Sequence, residues 1–483
     1  MGAGLGVAAL AAGCRGSQNS ATTGSTPSPS ASTPQPTLVN VQGTAAPEIK
    51  PNPSSEDLVG GPQWTPQDFS GKTLILWGLN YAPHVERYKM LAAMFKAKTN
   101  ADVKVEPQNN PQQAMLAAVA GNKTPDVVCL MAKLSGQLVK QKALMPVDDV
   151  IFSATKIDMN KWWMPDAIGS YAFDGQHLGV PVEGSGTGFS VTGRIDMVAA
   201  AGNNATSLWP GTAKESGWPD KGVWFDSYEH MYALGAELQT SNGSKVSVWG
   251  QNRQGWDQQA LSSLLYQLGV TWWDESAGTF DLDNAECVKA IQTMVTIPYG
   301  KKIESKLAVG NVVNAYVAKQ AALGIGNTSC AGEGAKIKIP GENVIAPSLD
   351  PGKTPVFMGE GGWGFEIPVQ AKNKDLAIEF AKFVSTYEAQ FTWSQIYGGF
   401  SPACAALKKS AIYQGNSPLK RGQRRVLVAL ENTKYWGNGW DPQMAMIIGN
   451  EIDLVRTGKV DAAQASKDLQ KQLTSQQKEF LGG

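Results

Sequence analysis

Histidine is nearly missing from this chain. His84, His177 and His230 are the only three in 483 residues, so a metal centre built on imidazole ligands is excluded as an organising feature. Cysteine is scarce too, five in all, and no two of them form a C-x-x-C pair. Net charge is absent, because 42 Lys and Arg balance 42 Asp and Glu. Affinity for nucleic acid comes from clustered cations, and this balance argues against such a partner. The one tight basic run, Lys420-Arg421-Gly422-Gln423-Arg424-Arg425, reads as a solvated helix face. No apolar run reaches the about 20 residues that a membrane-spanning helix needs. Catalytic signatures are lacking as well. There is no P-loop and no H-E-x-x-H, and the Gly-rich stretch 184–188 puts Ser185 in the wrong place for a nucleophile elbow. No cofactor is implied. A glycosidase carboxylate pair assembles in space rather than in sequence, so a surface glycoside-acting enzyme stays open as an alternative.

Tryptophan, by contrast, is abundant: 15, against 12 Tyr and 14 Phe. Several stand beside Gly, Asn or Asp, the setting of a stacking surface rather than of a core. The N-terminus is a run of small apolar residues, 2–13, ending at Cys14. It resembles a bacterial lipobox, in which the Cys is lipidated and anchors the mature chain. Residues 15–70 follow as a Ser/Thr/Pro-rich tether that lacks the apolar side chains to fold. Cys129, Cys287, Cys330 and Cys404 remain. They form either two disulfides, in one of three connectivities, or buried free thiols.

From Gly71 onward the pattern alternates between strand and helix. Residues 73–77, 102–106 and 126–131 read as strands, and 84–99 and 111–120 as helices. Such alternation implies a mainly parallel sheet covered on both faces. Residues 174–202 are the hub of the chain. A strand-like run ends at Val182-Glu183, glycines take over through Gly188, and a second strand-like run begins at Phe189. There the backbone can cross open space.

Several segments in collinear order carry a family resemblance. They are Pro125-Asp126-Val127-Val128, then Leu144-Met145-Pro146-Val147-Asp148-Asp149, then Gly175-Gln176-His177-Leu178-Gly179-Val180-Pro181-Val182-Glu183. Gly361-Gly362-Trp363-Gly364-Phe365-Glu366-Ile367-Pro368 follows, with Lys372-Asn373-Lys374 and a closing Thr457-Gly458-Lys459. Over roughly residues 70–480 the chain resembles the bacterial extracellular solute-binding proteins of carbohydrate ABC importers, the maltose-binding-protein-like branch, in lipoprotein form. The resemblance implies an α/β, periplasmic-binding-protein-like fold of two lobes joined by a hinge of three crossings. Lobe 1 would comprise residues 71–183 and 347–390, and lobe 2 residues 184–346 and 391–483. Hinge segments are expected at 182–185, 344–347 and 387–394. The implied function is capture, not catalysis. A carbohydrate binds between the lobes and is delivered to the ABC permease by a monomer held at the outer face of the membrane through Cys14. A polyamine or other non-sugar ligand remains the alternative among binding proteins.

A sugar needs flat apolar surface for its C–H faces and planar polar groups for its hydroxyls. Loop tips at the carboxyl ends of strands are where such groups gather. Six stretches fit: Trp77 with Asn80; Glu183; Trp256 with Asp257; Asn327; Glu360, Gly362 and Trp363; and Trp436, Asn438, Trp440 and Asp441. Trp363 has two readings, a sugar platform at the rim or a core residue sharing a strand face with Phe365 and Ile367.

Overall fold

The computed structural model describes residues 53–185, 189–212, 223–253, 257–274, 277–304, 312–351, 353–359, 361–395, 401–435 and 443–481. Two five-stranded sheets organise them. We number their strands in chain order: β1 Thr73–Leu79, β2 Asp102–Gln108, β3 Val127–Met131, β4 Val180–Pro181, β5 Ser190–Arg194, β6 Thr240–Asn242, β7 Lys245–Arg253, β8 Ala321–Ile325, β9 Gly341–Ile345 and β10 Trp363–Glu366. The first sheet has the order β2-β1-β3-β10-β4, the second β9-β5-β8-β7-β6. This is the two-lobe α/β architecture expected from the sequence.

Local chemistry sets the first-lobe elements. Asn110 caps the helix Pro111–Ala120 by accepting from Gln113 N, and Pro111 takes the first helical position, where its missing N–H costs nothing. Helix Ala82–Thr99 ends at Asn100, which adopts the left-handed conformation at φ 59°. Asp126 explains the Pro-Asp-Val-Val motif. One of its oxygens accepts from Ile75 N at 2.8 Å and the other from Asn373 N at 2.9 Å, tying β1 to the start of helix Lys374–Val384.

Order begins earlier than Gly71. Within residues 53–70, placed in the tether by composition, Trp64 donates its Nε1 to Glu379 Oε1 at 2.8 Å and its ring meets Phe383 at 5.6 Å. Gln63 N and Phe69 N bond to Thr155 O and Thr99 O. One Trp and one Phe suffice to fasten this stretch to the first lobe.

The second sheet is braced by the basic run. Arg421 forks onto both oxygens of Glu342 at 3.0 and 3.1 Å, and Arg425 Nη1 reaches Glu342 Oε1 at 2.7 Å. Arg424 and Arg425 are buried, which overturns the solvated-face reading. Burial pulls the Arg425 guanidinium down to about 9. These residues clamp helix Pro418–Glu431 to β9. A third, helical core of Leu261, Leu265, Ile291, Ile448, Ile452 and Leu469 completes the second lobe. All four described cysteines are buried free thiols, each in a separate core position.

Three crossings join the sheets. The first leaves the first sheet after Pro181 and enters the second at Ser190. The second lies later than 344–347. Strand Phe357–Gly359 still belongs with the second lobe, pairing with Thr433–Tyr435, so the chain crosses between Gly359 and Trp363. The third lies beyond 387–394, because helix Tyr387–Gln395 buries Phe391 and Trp393 in the first lobe. Residues 401–404 remain there too, since Met164 N bonds to Ala403 O. Helix Pro418–Glu431 then packs on β9 of the second sheet.

The crossings lie side by side. Glu183 N donates to Trp363 O at 3.1 Å, Gly184 N to Ser401 O at 2.9 Å, and Glu183 forms a bridge with Pro402. A Cβ on Gly362 would sit 1.9 Å from Glu183 O, and one on Gly359 2.1 Å from Ser185 Oγ. Only glycine permits this approach.

Candidate functional site

Both sheets present the ends of their strands to the crossings. In the first lobe these ends are Asn80 after β1, Ala132 after β3 and Glu183 after β4. β10 runs antiparallel, so its beginning, Trp363, lies beside Met131 at the same edge. Ala132 N donates to Gly362 O at 3.0 Å, and the Tyr171 hydroxyl stands 2.8 Å from Leu130 O and 3.0 Å from Gly362 O.

An aromatic wall stands on this edge. The Trp363 indole is half-buried and meets His84 edge-on at 4.6 Å. His84 in turn lies 5.8 Å from Tyr81, which is 44% exposed, and 5.5 Å from buried Trp393. Burial, aided by Arg87, holds the His84 imidazole well below its usual range, so it is neutral. Its Nδ1 lies 3.3 Å from the Tyr88 hydroxyl. Trp363 thus shares a strand face with Phe365, as alternation demands, yet sits at the end of the strand where one side stays open.

Behind the wall Arg87 Nη1 meets Glu183 Oε1 at 2.6 Å, with both side chains buried, and the guanidinium lies 4.8 Å over the Trp393 ring. Glu183 is therefore engaged in an ion pair at the junction of the crossings. Gly362 is there for close backbone approach. Asn80 Nδ2 donates to Asn109 Oδ1 at 2.9 Å at the exposed rim. Trp77 is not brought to this group. It points to the opposite face of β1, donates Nε1 to Glu106 Oε2 at 2.9 Å and packs with Met115 and Leu130.

In the second lobe the corresponding edge carries Phe189 before β5 and Ser190 at its start, Arg253 at the end of β7, Asn327 after β8 and Ala346 after β9. Gly326 N bonds to Ser190 O and Ala346 N to Phe189 O, aligning these ends. Asn327 is half-buried, and its Oδ1 accepts from Ser329 N at 2.9 Å at the start of helix Ser329–Lys336. Asp257 opens helix Asp257–Gln267 and is buried against Arg456, whose Nη2 lies 3.1 and 3.4 Å from its oxygens. Burial lifts the Asp257 carboxyl above its usual range, against the pull of Arg456 and Arg253. Trp256, Glu360, Trp436, Asn438, Trp440, Asp441 and Cys14 lie outside the described residues.

Sequence reasoning passed over Tyr81, His84 and Arg87 at the edge. The available signal was position: Tyr81 directly succeeds Asn80, and His84 and Arg87 follow within the first two turns of helix Ala82–Thr99. A separate cavity of about 550 Å³, lined by Asp148, Phe152, Lys156, Asp158 and His177, lies by the start of β4, at the opposite end of the strand from Glu183. Among the described residues no helix is long and apolar enough to cross a membrane.

A family model described as "Bacterial extracellular solute-binding protein" matches residues 81–391. No curated protein matches the sequence. Solved structures do. UgpB from Mycobacterium tuberculosis, in complex with glycerophosphocholine, superposes at TM-score 0.69 with 19% identity, covering 85% of this chain and 100% of that one. The maltose/maltodextrin-binding domain MalE from Bdellovibrio bacteriovorus, bound to maltotriose, gives 0.65 and 14% over the same shares. The GacH receptor of Streptomyces glaucescens, solved unliganded and with acarbose, gives 0.65 and 17%, again with 85% and 100% coverage.

Proposed function

This chain belongs to the bacterial extracellular solute-binding protein family, and we propose that it is the substrate-binding component of an ABC importer that captures a carbohydrate between its lobes. The observation that carries the reading is the wall of Tyr81, His84 and Trp363 at the crossing edge of the first lobe. Such a surface suits the apolar face of a sugar ring, and Asn80 and Asn109 beside it suit hydroxyls. Similarity of fold to proteins bound to maltotriose and acarbose supports a sugar, and an oligosaccharide fits a site with aromatics spread along an edge.

In this reading Trp363 is the principal platform, with Asn80 and Asn327 as polar contacts. Glu183, Asp257 and Gly362 act one step behind, holding the edges in place. Trp256, Glu360, Trp436, Trp440 and Asp441 remain proposed ligand residues on sequence grounds. We assign the first lobe to residues 53–183 and 361–413, and the second to 189–359 and 418–481. The protein acts as a monomer, anchored outside the cell through lipidated Cys14, and hands its ligand to a membrane permease by closing about the crossings.

A second reading has one observation in its favour. Aromatic walls also receive quaternary ammonium groups, and a protein of the same fold was solved with glycerophosphocholine. Thermal unfolding across a panel of neutral saccharides and glycerophosphocholine tests both, since a ligand that binds the native state raises its melting temperature. A shift with a saccharide and none with glycerophosphocholine supports the first reading. The reverse overturns it, and release of products from any saccharide would overturn a pure binding role.

A further inference from the structure

At the end of β7 the second lobe offers a different chemistry from the aromatic wall. Arg253, the last residue of that strand, is 6% exposed, and its Nε and Nη2 have no hydrogen-bond partner among the described residues. Glu304 lies alongside. A backbone bridge joins Gln251 to Glu304, and Gln251 Nε2 donates to Glu304 Oε2 at 2.7 Å. The other oxygen, Oε1, is buried and unpartnered. Of the charges around Arg253, Glu304 exerts the strongest field and Asp257 a weaker one. The Tyr299 hydroxyl is also buried without a partner, and its ring lies 5.7 Å from the Arg456 guanidinium, which Asp257 holds in turn.

Buried polar groups in folded chains are almost all bonded, and a buried charge lacking a contact partner lowers stability. Here a donor-only group, an acceptor-only oxygen and a hydroxyl are left open together, at the strand end where the second lobe meets the crossings. Sites that violate the satisfaction rule in this way are where function is kept at the expense of stability.

We propose that Arg253 and Glu304 form a donor–acceptor pair that receives hydroxyl groups of the ligand, so that the group bound in the second lobe is an uncharged polyol and not a phosphate or carboxylate. Guanidinium only donates and carboxylate only accepts. A hydroxyl does both, accepting from Arg253 while donating to Glu304 Oε1. An anion would satisfy Arg253 but would face the open carboxylate oxygen of Glu304. The inference rests on the carbohydrate reading and sharpens it, separating neutral sugars from glycerophosphodiesters and acidic sugars.

The test uses the full chain and its Arg253→Gln and Glu304→Gln variants, with thermal unfolding and calorimetric titration. The probes are a panel of neutral saccharides beginning with maltotriose, together with glycerophosphocholine and a galacturonate oligomer. A neutral saccharide should bind the unmodified chain. Arg253→Gln should weaken it at least tenfold, and affinity rather than melting temperature is the readout, because buried Glu304 loses its nearby cation as well. Glu304→Gln should weaken the neutral saccharide and admit an anionic probe that the unmodified chain rejects. A saccharide that binds equally well to Arg253→Gln overturns the pair and leaves the carbohydrate reading standing, whether or not that variant melts lower. Preference of the unmodified chain for an anionic probe overturns the ligand class. If no saccharide binds the unmodified chain, the carbohydrate reading falls and the pair falls with it.

Discussion

The two strand edges that flank the crossings are made from the same kind of element and settle their polar groups in opposite ways. On the first-lobe edge the charged side chains are matched: Arg87 and Glu183 meet at 2.6 Å beneath an indole, and His84 is kept neutral by burial. What this edge leaves open is aromatic surface, on Tyr81 and Trp363. On the second-lobe edge Arg253 and Glu304 keep polar atoms open inside the protein, while Asp257 and Arg456 close an ion pair next to them. One edge joins its charges in a contact ion pair and offers a face. The other keeps Arg253 and Glu304 out of such contact and offers hydrogen bonds. For a ring with apolar faces and a hydroxylated rim, that division is complementary.

The largest expected effect breaks the ion pair of the first-lobe edge. Arg87→Ala leaves Glu183 buried without its countercharge at the junction of the crossings, and stability should fall by about 3–5 kcal/mol. Denaturant unfolding measures it. A loss under about 1 kcal/mol, within the range of an exposed pair, would contradict a buried pin. Arg253→Gln on the other edge removes a cation that makes no contact ion pair with Glu304, so it should cost less stability than Arg87→Ala, and that contrast is the comparison in its sharpest form.

Next in size is a pH effect just behind the first edge. Glu366 lies in β10, fully buried, with the Ser135 hydroxyl bonded to its Oε1, and burial pushes its carboxyl up to about 8. Between its unfolded value near 4.5 and about 8, the folded chain holds a proton that the unfolded chain has lost. This contribution is fully present below pH 4.5 and is lost as pH rises through 8. Urea unfolding at pH 5 and at pH 8.5 should therefore show the lower stability at the higher pH, with a gap that Glu366→Gln narrows. Parallel profiles for the two proteins would refute the assignment.

How far this was legible from the chain differs between the same two edges. The strands and helices of the first lobe were readable because alternation and caps are local: the expected helix 111–120 is the observed one. Trp363 and Asn80 were nominated because aromatics and amides at strand ends carry a composition signal. Arg87 and Arg253 were not, since nothing in a sequence distinguishes a buried Arg from a surface one. The basic run 420–425 failed for the same reason, its charges being matched by Glu342 some 80 positions away. The second and third crossings were misplaced because the lobe to which a helix such as Tyr387–Gln395 belongs depends on packing partners distant in the chain. Glu183 shows the limit most clearly. Its motif marks the crossing correctly, while its partner Arg87, 96 residues away, gives it the role it has in the fold.

A smaller effect is expected at Trp363. Its indole is half-buried against His84, so Trp363→Ala should cost part of a full aromatic burial, about 1–2 kcal/mol. It should weaken ligand binding by about 1–3 kcal/mol, the scale of aromatic stacking. Parallel denaturation and titration separate the two. A large stability loss with unchanged affinity would make Trp363 core alone.

The smallest change tests whether the wall extends beyond that residue. Tyr81 is 44% exposed and precedes helix Ala82–Thr99 with extended backbone, φ −122°, and no side-chain capping bond. The helix start depends on its backbone, since Val85 N donates to Tyr81 O at 3.0 Å, and that bond survives truncation of the side chain. Tyr81→Ala should therefore move stability by no more than about 0.5 kcal/mol. The ring does lie 5.8 Å from His84, which Trp363 meets at 4.6 Å, and a ligand that spans the wall would touch both. Its loss should weaken binding by about 0.5–1.5 kcal/mol. Calorimetry on a long and a short saccharide sharpens the result. A loss confined to the longer ligand places Tyr81 at an outer position of an extended site, whereas unchanged affinity for both reduces the wall to Trp363 and removes the argument for an oligosaccharide.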